Sequence, residues 1–326
     1  MRAIVIPHAG DAGVLKEADR PLPVPRAGEI RVRVHASALN RADLLQRMGR
    51  YPAPPDAPQD IPGLEYAGEV DALGEGAGLW AVGSRVMGIV AGGGHAEFVV
   101  VHEREAIRIP QSLSYEEAGA VPEAFLTAYD ALFRRLELEV GERLLIHAVG
   151  SGVGTAALQL ACVAGAITIG SSRSAEKLRR ARELGLDVAV DTSREVLSEA
   201  VMLASDGSGV HAVLDLVGGP MLEAALRLLA LEGRIVVVGT IAGARAEIDL
   251  ALLLRRRVRL MGTVMRSRPL EEKISLAREF SRSVVPLLSS GKIRPVIDEV
   301  YPFARIAEAH RRMEANATFG KIVLTW

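Results

Sequence analysis

The sequence predicts an α/β protein with a doubly wound parallel sheet, of the Rossmann type, and a second, irregular β domain. Two observations predict this class. Six candidate strands alternate with helical segments between residues 143 and 263, a pattern typical of a doubly wound parallel sheet. The first 115 residues instead carry short alternating runs separated by turns rich in proline and glycine, which is typical of an irregular β unit.

Length and composition limit the possible functions. The 326 residues carry a net charge of −1 and are 49% hydrophobic, which fits two globular domains and excludes a general attraction to nucleic acid or anionic membranes. No apolar run predicts a transmembrane helix or a signal peptide. The one cysteine, Cys162, excludes an intrachain disulfide and a cysteine-rich zinc site. We expect a buried thiol and a cytoplasmic protein.

The first part of the chain should form a series of short strands. Turn residues bound the alternating runs, which cover residues 3–6, 30–36, 68–72, 85–89 and 96–100. Residues 51–62 hold too many prolines for a helix or a central strand, and they form either a plain surface loop or a semi-rigid wall of a pocket. Residues 116–132 have helical spacing, with Pro122 marking a break or a first turn.

The second part should form the parallel sheet. Its expected strands cover residues 143–149, 167–171, 187–191, 211–217, 234–239 and 257–263, and a helix at 267–290 follows. The tail then returns to a strand at 293–300, a helix at 304–315 and a strand at 321–324. We therefore expect a discontinuous substrate domain over 1–120 and 266–326, and a dinucleotide-binding domain over 121–265.

A glycine-rich turn follows the first strand of the parallel sheet. It places Gly150, Gly152 and Gly154 at alternate positions, before a segment with helical spacing. The N-terminus of such a helix leaves amide groups unpaired, so it can bind a phosphate. Glycine also lets a pyrophosphate and the helix approach closely. The turn alone is weak evidence, since G-x-G-x-G is not the commoner spacing and an ordinary βα loop can carry it.

The end of the second strand indicates which dinucleotide binds. An acidic residue there selects NAD, whereas small polar and basic residues accommodate the extra phosphate of NADP. This chain has no acid at the strand end and supplies Ser172, Arg173 and Lys177. We therefore expect NADP(H), with the alternative that the two basic residues are merely solvated at a helix start.

The chain as a whole resembles the medium-chain dehydrogenase/reductase superfamily, and within it the zinc-independent quinone oxidoreductases, on the branch of the tumour-suppressor-inducible quinone oxidoreductase. The resemblance covers nearly the full length. The segments that carry it are residues 37–44, 62–68, 92–94, 122–128, the glycine turn, 309–316 and 320–323.

The same resemblance indicates an enzyme without zinc. Zinc-dependent members carry a cysteine where this chain has Asn40, and a His-Glu pair where it has Leu64 and Glu65. A catalytic zinc needs three protein ligands, and neither asparagine nor leucine supplies the missing ones. We expect no metal at this site.

The resemblance also implies that the irregular β unit is a GroES-like domain packed against the nucleotide-binding domain, with the nicotinamide in the cleft between them. It implies roles for individual residues as well. Asn40 and Tyr51 would face the oxygen of a quinone or other carbonyl acceptor. The implied cofactor contacts are Thr127 near the nicotinamide, Gly152 and Val153 at the pyrophosphate, Ser172, Arg173 and Lys177 at the 2′-phosphate, Gly239 and Ile241 at the nicotinamide ribose, and Met265, Arg266 and Lys321 at the cofactor channel.

These residues predict hydride transfer from NADPH to a quinone. Asn40 and Tyr51 are neutral hydrogen-bond donors suited to the oxygen on which charge grows, and the hydroquinone can take its proton from water. Asn40 can instead be a turn or helix-capping residue, and Tyr51 a packing aromatic.

Two other functions stay open: reduction of an activated C=C bond in an enal, enone or enoyl thioester, and NADPH binding without catalysis in a structural, redox-sensing or RNA-binding protein.

The basic run at residues 255–259 can form a nucleic-acid patch, but we expect a solvated helix end leading into an edge strand. In the resembling family that edge strand pairs with its copy, which would protect exposed backbone groups. We therefore expect a homodimer through this edge.

Overall fold

The computed structural model describes all residues from Met1 to Trp326, in two compact units. One unit is discontinuous and contains Met1–Leu126 and Met265–Trp326, while the other contains Thr127–Val264. A mixed sheet lies in the discontinuous unit and a parallel sheet in the other. The predicted α/β class with a Rossmann-like sheet and a second β domain is confirmed.

Fifteen strands occur along the chain. In chain order they are β1 Arg2–Val5, β2 Lys16–Asp19, β3 Glu29–Leu39, β4 Glu65–Leu73, β5 Arg85–Ile89, β6 Phe98–His102, β7 Ile107–Arg108, β8 Arg143–His147, β9 Ile167–Ser172, β10 Val188–Asp191, β11 Val210–Asp215, β12 Leu229–Val237, β13 Arg259–Gly262, β14 Ile297–Pro302 and β15 Lys321–Thr325.

Eleven α-helices accompany them. In chain order they are α1 Arg41–Arg47, α2 Tyr115–Gly119, α3 Pro122–Tyr129, α4 Gly152–Val163, α5 Ala175–Glu183, α6 Leu197–Ala204, α7 Pro220–Leu228, α8 Leu250–Arg256, α9 Leu270–Ser283, α10 Val285–Ser289 and α11 Ile306–Glu314. No helix is long and apolar enough to span a bilayer.

The parallel sheet has the strand order β10-β9-β8-β11-β12-β13. Its strands are rich in branched apolar residues, and the buried side chains of Leu145, Ile169, Val213 and Ile235 belong to one core cluster. Chain connectivity reverses between β8 and β11. In this kind of sheet ligands bind beyond the carboxyl ends of the strands at that reversal.

The mixed sheet has the order β14-β15-β3-β4-β5-β7, with β6 also pairing with β3. The long strand β3 lies antiparallel to both β4 and β15. In the register, Ile322 pairs with Leu39, so Lys321 at the start of β15 lies beside the end of β3. Glu65 begins β4 on the other side of β3, and three strand ends therefore meet at one place.

Several elements differ from the sequence prediction. The short elements β2 and α1 were not expected. The expected break at Pro122 is confirmed, because α3 begins there and residues 116–132 form two helices, α2 and α3, but the π-helical segment that follows at Asp130–Arg135 was not expected. The expected helix at 267–290 breaks after Ser283, because Pro286 in the first turn of α10 has no N–H for a continuous helix.

Cys162 is less buried than the sequence suggests. Its residue is half-buried on α4, and its thiol donates a hydrogen bond to the carbonyl oxygen of Gly185 at 3.3 Å. Burial raises the pKa of this thiol above its ordinary value. The expectation of a fully buried thiol was therefore wrong, while the raised pKa keeps the thiol protonated.

Candidate functional site

A buried ion pair lies where the ends of β3, β4 and β15 meet. The ammonium nitrogen of Lys321 is 2.8 Å from Glu65 Oε1, and the two side chains are 5% and 0% exposed. The same nitrogen donates to the carbonyl oxygen of Leu39 at 3.2 Å and to Asn40 Oδ1 at 2.5 Å. Because an ammonium has three N–H groups, these oxygens use all of its donors.

Both oxygens of the Glu65 carboxylate also have hydrogen-bond partners. Besides the ammonium, its Oε1 accepts a hydrogen bond from Asn40 Nδ2 at 2.8 Å, and its Oε2 accepts one from the backbone N–H of Glu123 at 2.8 Å. A buried ion pair is stable only when its remaining donors and acceptors are also satisfied. This one meets that condition.

Asn40 lies just before α1, and both ends of its side-chain amide belong to this network. The carboxylate that caps α1 is that of Asp43, whose Oδ2 accepts from the backbone N–H of Asn40 at 2.7 Å. The sequence predicts that Asn40 faces the acceptor. In the structure its amide joins Lys321 to Glu65, and its place beside an acceptor stays a prediction.

Glu123, the second residue of α3, carries an unsatisfied carboxyl oxygen. Its Oε2 is enclosed and has no hydrogen-bond partner, although the residue as a whole is half-buried. Burial, and next the negative charge of Glu65, raise the pKa of Glu123 to about 8. A glutamate in this position holds a proton at neutral pH.

Tyr51 is held by Arg266. The guanidinium lies 5.1 Å from the centre of the Tyr51 ring and donates to the backbone oxygen of Tyr51 at 3.3 Å. It also donates to Ala91 O at 2.7 Å and Gln46 Oε1 at 2.7 Å. The phenol oxygen of Tyr51 makes no hydrogen bond in the structure. Tyr51 thus presents a free O–H group from a proline-rich loop that an arginine fixes.

Burial raises the pKa of Tyr51 above its ordinary value, while the nearby positive charge of Arg266 acts in the opposite direction. The phenol therefore remains a neutral donor across the physiological range. Arg266 was expected at the cofactor channel. The structure shows its side chain buried and engaged with the Tyr51 loop, which leaves it a positioning role.

The glycine-rich turn in the other unit has the geometry of an anion site. Ser151 caps α4, its Oγ accepting from the Gly154 N–H at 3.1 Å. The amides of Gly152 and Val153, in the first turn of α4, have no partner in the chain. A Cβ on Gly154 would lie 2.6 Å from the carbonyl oxygen of Ala148, so only glycine fits there. These features suit a pyrophosphate.

The turn is entered through a strained residue that sequence analysis did not identify. Ala148 has φ +50°, a conformation that alanine rarely adopts. It lies between β8 and the buried residues Val149 and Gly150. Strain of this kind persists only where the surroundings enforce it. Here it directs the chain from the strand into the turn.

The predicted 2′-phosphate residues lie together after β9. Ser172 ends that strand, and its Oγ accepts from the Ser174 N–H at 3.2 Å. Arg173 is exposed and makes no hydrogen bond or ion pair. Ser174 caps α5 by accepting from the Lys177 N–H at 3.3 Å, which places Lys177 in the first turn of that helix. The segment thus carries two cations and no acid at the strand end itself, while Glu176 in the first turn of α5 is paired with Arg179.

The other predicted cofactor residues are placed as follows. Thr127 is buried, and its hydroxyl has no partner. Gly239 follows β12, and a Cβ there would lie 2.6 Å from Leu216 O. Ile241 is an exposed residue of the next loop, whereas Met265 is buried and lines a small cavity with Leu126.

Sequence analysis missed the roles of Glu65, Glu123 and Asp215. Asp215 ends β11, and its Oδ1 accepts from the N–H groups of Val217 and Gly218 at 2.8 and 2.9 Å. It thereby orders the loop against which Gly239 packs. The available signal was the same in all three cases: a carboxylate within a stretch of otherwise apolar residues.

No group of three or more histidine, cysteine, aspartate or glutamate side chains is arranged to hold a metal ion. Glu65, which follows the position of the missing histidine, has its carboxylate engaged with Lys321 and Asn40. The positive charge at this place therefore comes from a lysine.

Two family models match the chain. The model of an alcohol dehydrogenase GroES-like domain matches residues 26–111, and that of a zinc-binding dehydrogenase matches residues 152–282. Among curated proteins, quinone oxidoreductase-like protein 2 of Bos taurus is 33% identical over 322 residues, which is 96% of this chain and 92% of that protein.

Solved structures are similar to this chain over nearly its whole length. An NAD-dependent alcohol dehydrogenase has a TM-score of 0.87 and 32% identity, covering 100% of both chains. The CurK enoyl reductase has a TM-score of 0.88 and 27% identity, covering 99% of this chain and 98% of its own.

Removing one member of the buried ion pair tests how much the pair contributes to stability. We expect Lys321→Met to lower the free energy of unfolding by about 3–5 kcal/mol, because Glu65 would remain buried and unpaired. The double variant Lys321→Met/Glu65→Gln should recover much of that loss. Denaturant unfolding of both variants measures this. The exposed pair of Arg305 and Glu308 serves as control, since Arg305→Met should have a much smaller effect. A Lys321→Met variant as stable as the Arg305→Met control would contradict the assignment.

Proposed function

The chain belongs to the medium-chain dehydrogenase/reductase superfamily, and on that premise we propose that this oxidoreductase transfers a hydride from NADPH to a quinone without zinc. The matched domains and the full-length relatives confirm the resemblance stated from the motifs. The observation that carries the proposal is the site of the buried ion pair in the discontinuous unit. Lys321 supplies the positive charge there, and Tyr51 has a free O–H.

The residues of the parallel-sheet unit fit a nicotinamide dinucleotide. The unpaired amides of Gly152 and Val153 would hold the pyrophosphate, with Gly150 and Gly154 allowing its close approach. The buried, unpartnered hydroxyl of Thr127 is the donor and acceptor available for the nicotinamide end. When bound, the reduced cofactor supplies a hydride from its C4 position.

In the acceptor site, the chain's own residues orient the acceptor and stabilise charge. Tyr51 would donate its O–H to the acceptor oxygen on which negative charge grows. Arg266 fixes the loop that carries this phenol. Asn40 and Lys321 hold the buried carboxylate of Glu65 in place by a hydrogen bond and an ion pair.

We propose NADP(H) as the cofactor, because Arg173 is exposed and unpaired beside Ser172 and no acid ends β9. Lys177 in the first turn of α5 adds a second cation, and Gly239, Ile241 and Met265 remain proposed contacts on the family's pattern. A phosphate dianion pairs well with a guanidinium.

The chain also has the features of a homodimer, which we propose forms through β13. This strand ends the parallel sheet, so one row of its backbone groups is unpaired. Leu254 and Leu250 on the preceding helix α8 are exposed at 79% and 68%. The run from Arg255 into β13 is thus a helix end followed by an edge strand.

Reduction of activated C=C bonds is the second candidate, favoured by the likeness to an enoyl reductase. A panel of quinones, enones and enoyl thioesters with NADPH separates the two. We expect quinones to give the highest kcat/KM. Faster turnover of an enone or enoyl thioester would favour the second candidate, and tight NADPH binding without turnover would favour a non-catalytic protein.

Cofactor preference can be tested by reversing one charge. Arg173→Asp should weaken NADPH binding about 10- to 100-fold, the loss expected for one charged hydrogen bond, and should leave NADH binding nearly unchanged. Arg182→Asp makes the same charge change at the other end of α5 and should affect neither. Dissociation constants from cofactor fluorescence measure both. Equal losses of the two cofactors in Arg173→Asp would refute the assignment.

The role of Tyr51 can be tested by removing only its hydroxyl. We expect Tyr51→Phe to lower kcat with quinones about tenfold or more, because one donor to the developing oxyanion is lost. The dissociation constant for NADPH should stay unchanged, since the ring and its contact with Arg266 remain. Unchanged turnover would remove Tyr51 from the mechanism.

Dimerisation can be tested on the edge strand itself. We expect Leu260→Glu to shift the protein towards monomers in sedimentation velocity, because twofold pairing places two like charges near each other. Leu203→Glu introduces the same charge at an exposed position of α6 and should leave the mass unchanged. A wild-type protein that sediments as a monomer at high concentration would contradict the proposed dimer.

A further inference from the structure

Glu123 is a titratable group that the mechanism so far does not use. It stands at the start of α3, and its backbone N–H is fixed by a 2.8 Å hydrogen bond to Glu65 Oε2. Its own Oε2 is enclosed without any partner. A buried carboxyl oxygen with no donor is costly when charged, so the protonated form is the stable one.

The charges around Glu123 come from four other elements. Burial is the largest influence on its pKa and raises it. Glu65 on β4 and Asp43 on α1 raise it further, while Lys321 on β15 and Arg266, which follows β13, lower it. The result is a pKa of about 8.

The backbone of Glu123 is bonded to Glu65, so Glu123 lies beside the network that includes Asn40 and Lys321. Tyr51 has a free O–H, and the guanidinium of Arg266 lies over its ring. The charge of that guanidinium lowers the pKa of Glu123, and the charge of Glu123 raises the pKa of Tyr51.

We propose that Glu123 is the proton donor that completes the reduction of the acceptor. This inference rests on the proposed function. After a hydride and its two electrons have reached the quinone, the O–H bond of the Glu123 carboxyl breaks and an O–H bond forms on the anionic quinone oxygen. The Glu123 carboxylate then regains its proton from water. The quinone is thereby reduced to the hydroquinone, with no further reactant.

This assignment changes one expectation from the sequence, that water alone supplies the proton. It also gives the buried ion pair a second consequence. The charge of Glu65, kept in place by Lys321, makes loss of the proton from Glu123 less favourable. Transfer of that proton to an acceptor anion therefore leaves two carboxylates side by side, which favours rapid reprotonation from water.

The decisive variant is Glu123→Gln, which keeps the shape of the side chain and removes its acidic proton. We expect kcat with a quinone to fall about 100-fold or more, within the range for loss of a general acid, while the NADPH dissociation constant stays the same. Wild-type kcat should decline as pH rises through about 8. Glu123→Gln should lack this decline, and Glu123→Asp should restore part of the rate together with it.

A second measurement needs no turnover. Because the folded-state pKa of Glu123 is raised, the wild-type protein loses stability as pH rises from the ordinary glutamate value towards 8. The variant Glu123→Gln has no such loss. Its melting temperature relative to wild type should therefore rise between pH 5 and pH 9. Glu116→Gln, on the neighbouring helix α2, is the matched control and should show no such trend.

The outcomes separate the inference from the proposed function. Wild-type protein that reduces quinones, together with a Glu123→Gln variant of equal kcat and an unchanged alkaline decline, would overturn the inference alone. A melting difference that is independent of pH would also overturn it, because Glu123 would then not hold the proton. Wild-type protein that reduces no quinone with NADPH would overturn the proposed function and the donor role with it.

Discussion

The buried pair of Lys321 and Glu65 is the constraint on which the candidate acceptor site depends. Two charges removed from water are stable only when every remaining donor and acceptor is satisfied. The remaining hydrogen bonds come from the backbone at the end of β3, the amide of Asn40 and the backbone N–H of Glu123. One ion pair therefore fixes three strand ends and the first turn of α3, and the charge of Glu65 within it raises the pKa of Glu123.

The dinucleotide site depends on backbone geometry rather than on charge. Ala148 adopts a left-handed conformation, Gly154 lies against two carbonyl oxygens, and the amides of Gly152 and Val153 stay unpaired. The cost of this strained turn is balanced by the packing of β8 and α4 in the core. Selectivity among dinucleotides is a separate matter, which we propose the side chains after β9 decide.

Much of the fold could be predicted from the sequence, because hydrophobic periodicity and glycine spacing report local structure directly. All six strands of the parallel sheet and the turn before α4 were predicted. The sequence was enough to name residues of the acceptor site, but it was not enough to predict the contacts between them. Lys321 and Glu65 are 256 positions apart, and only the pairing of β3 with both β4 and β15 brings them together. For the same reason the contacts that Asn40, Arg266 and Lys321 make in the structure were not predicted, and their roles towards the cofactor and the acceptor stay predictions.

The central claim is that a metal-free acceptor site surrounds Tyr51 and Glu123 beside the buried lysine. A crystal of the protein with bound NADPH and an unreactive quinone analogue tests it most directly. The account predicts an analogue oxygen within hydrogen-bond distance of Tyr51 Oη and of the Glu123 carboxyl, with Lys321 still paired with Glu65. An analogue bound away from both groups, or a metal ion on Glu65 in place of the ammonium, would contradict it.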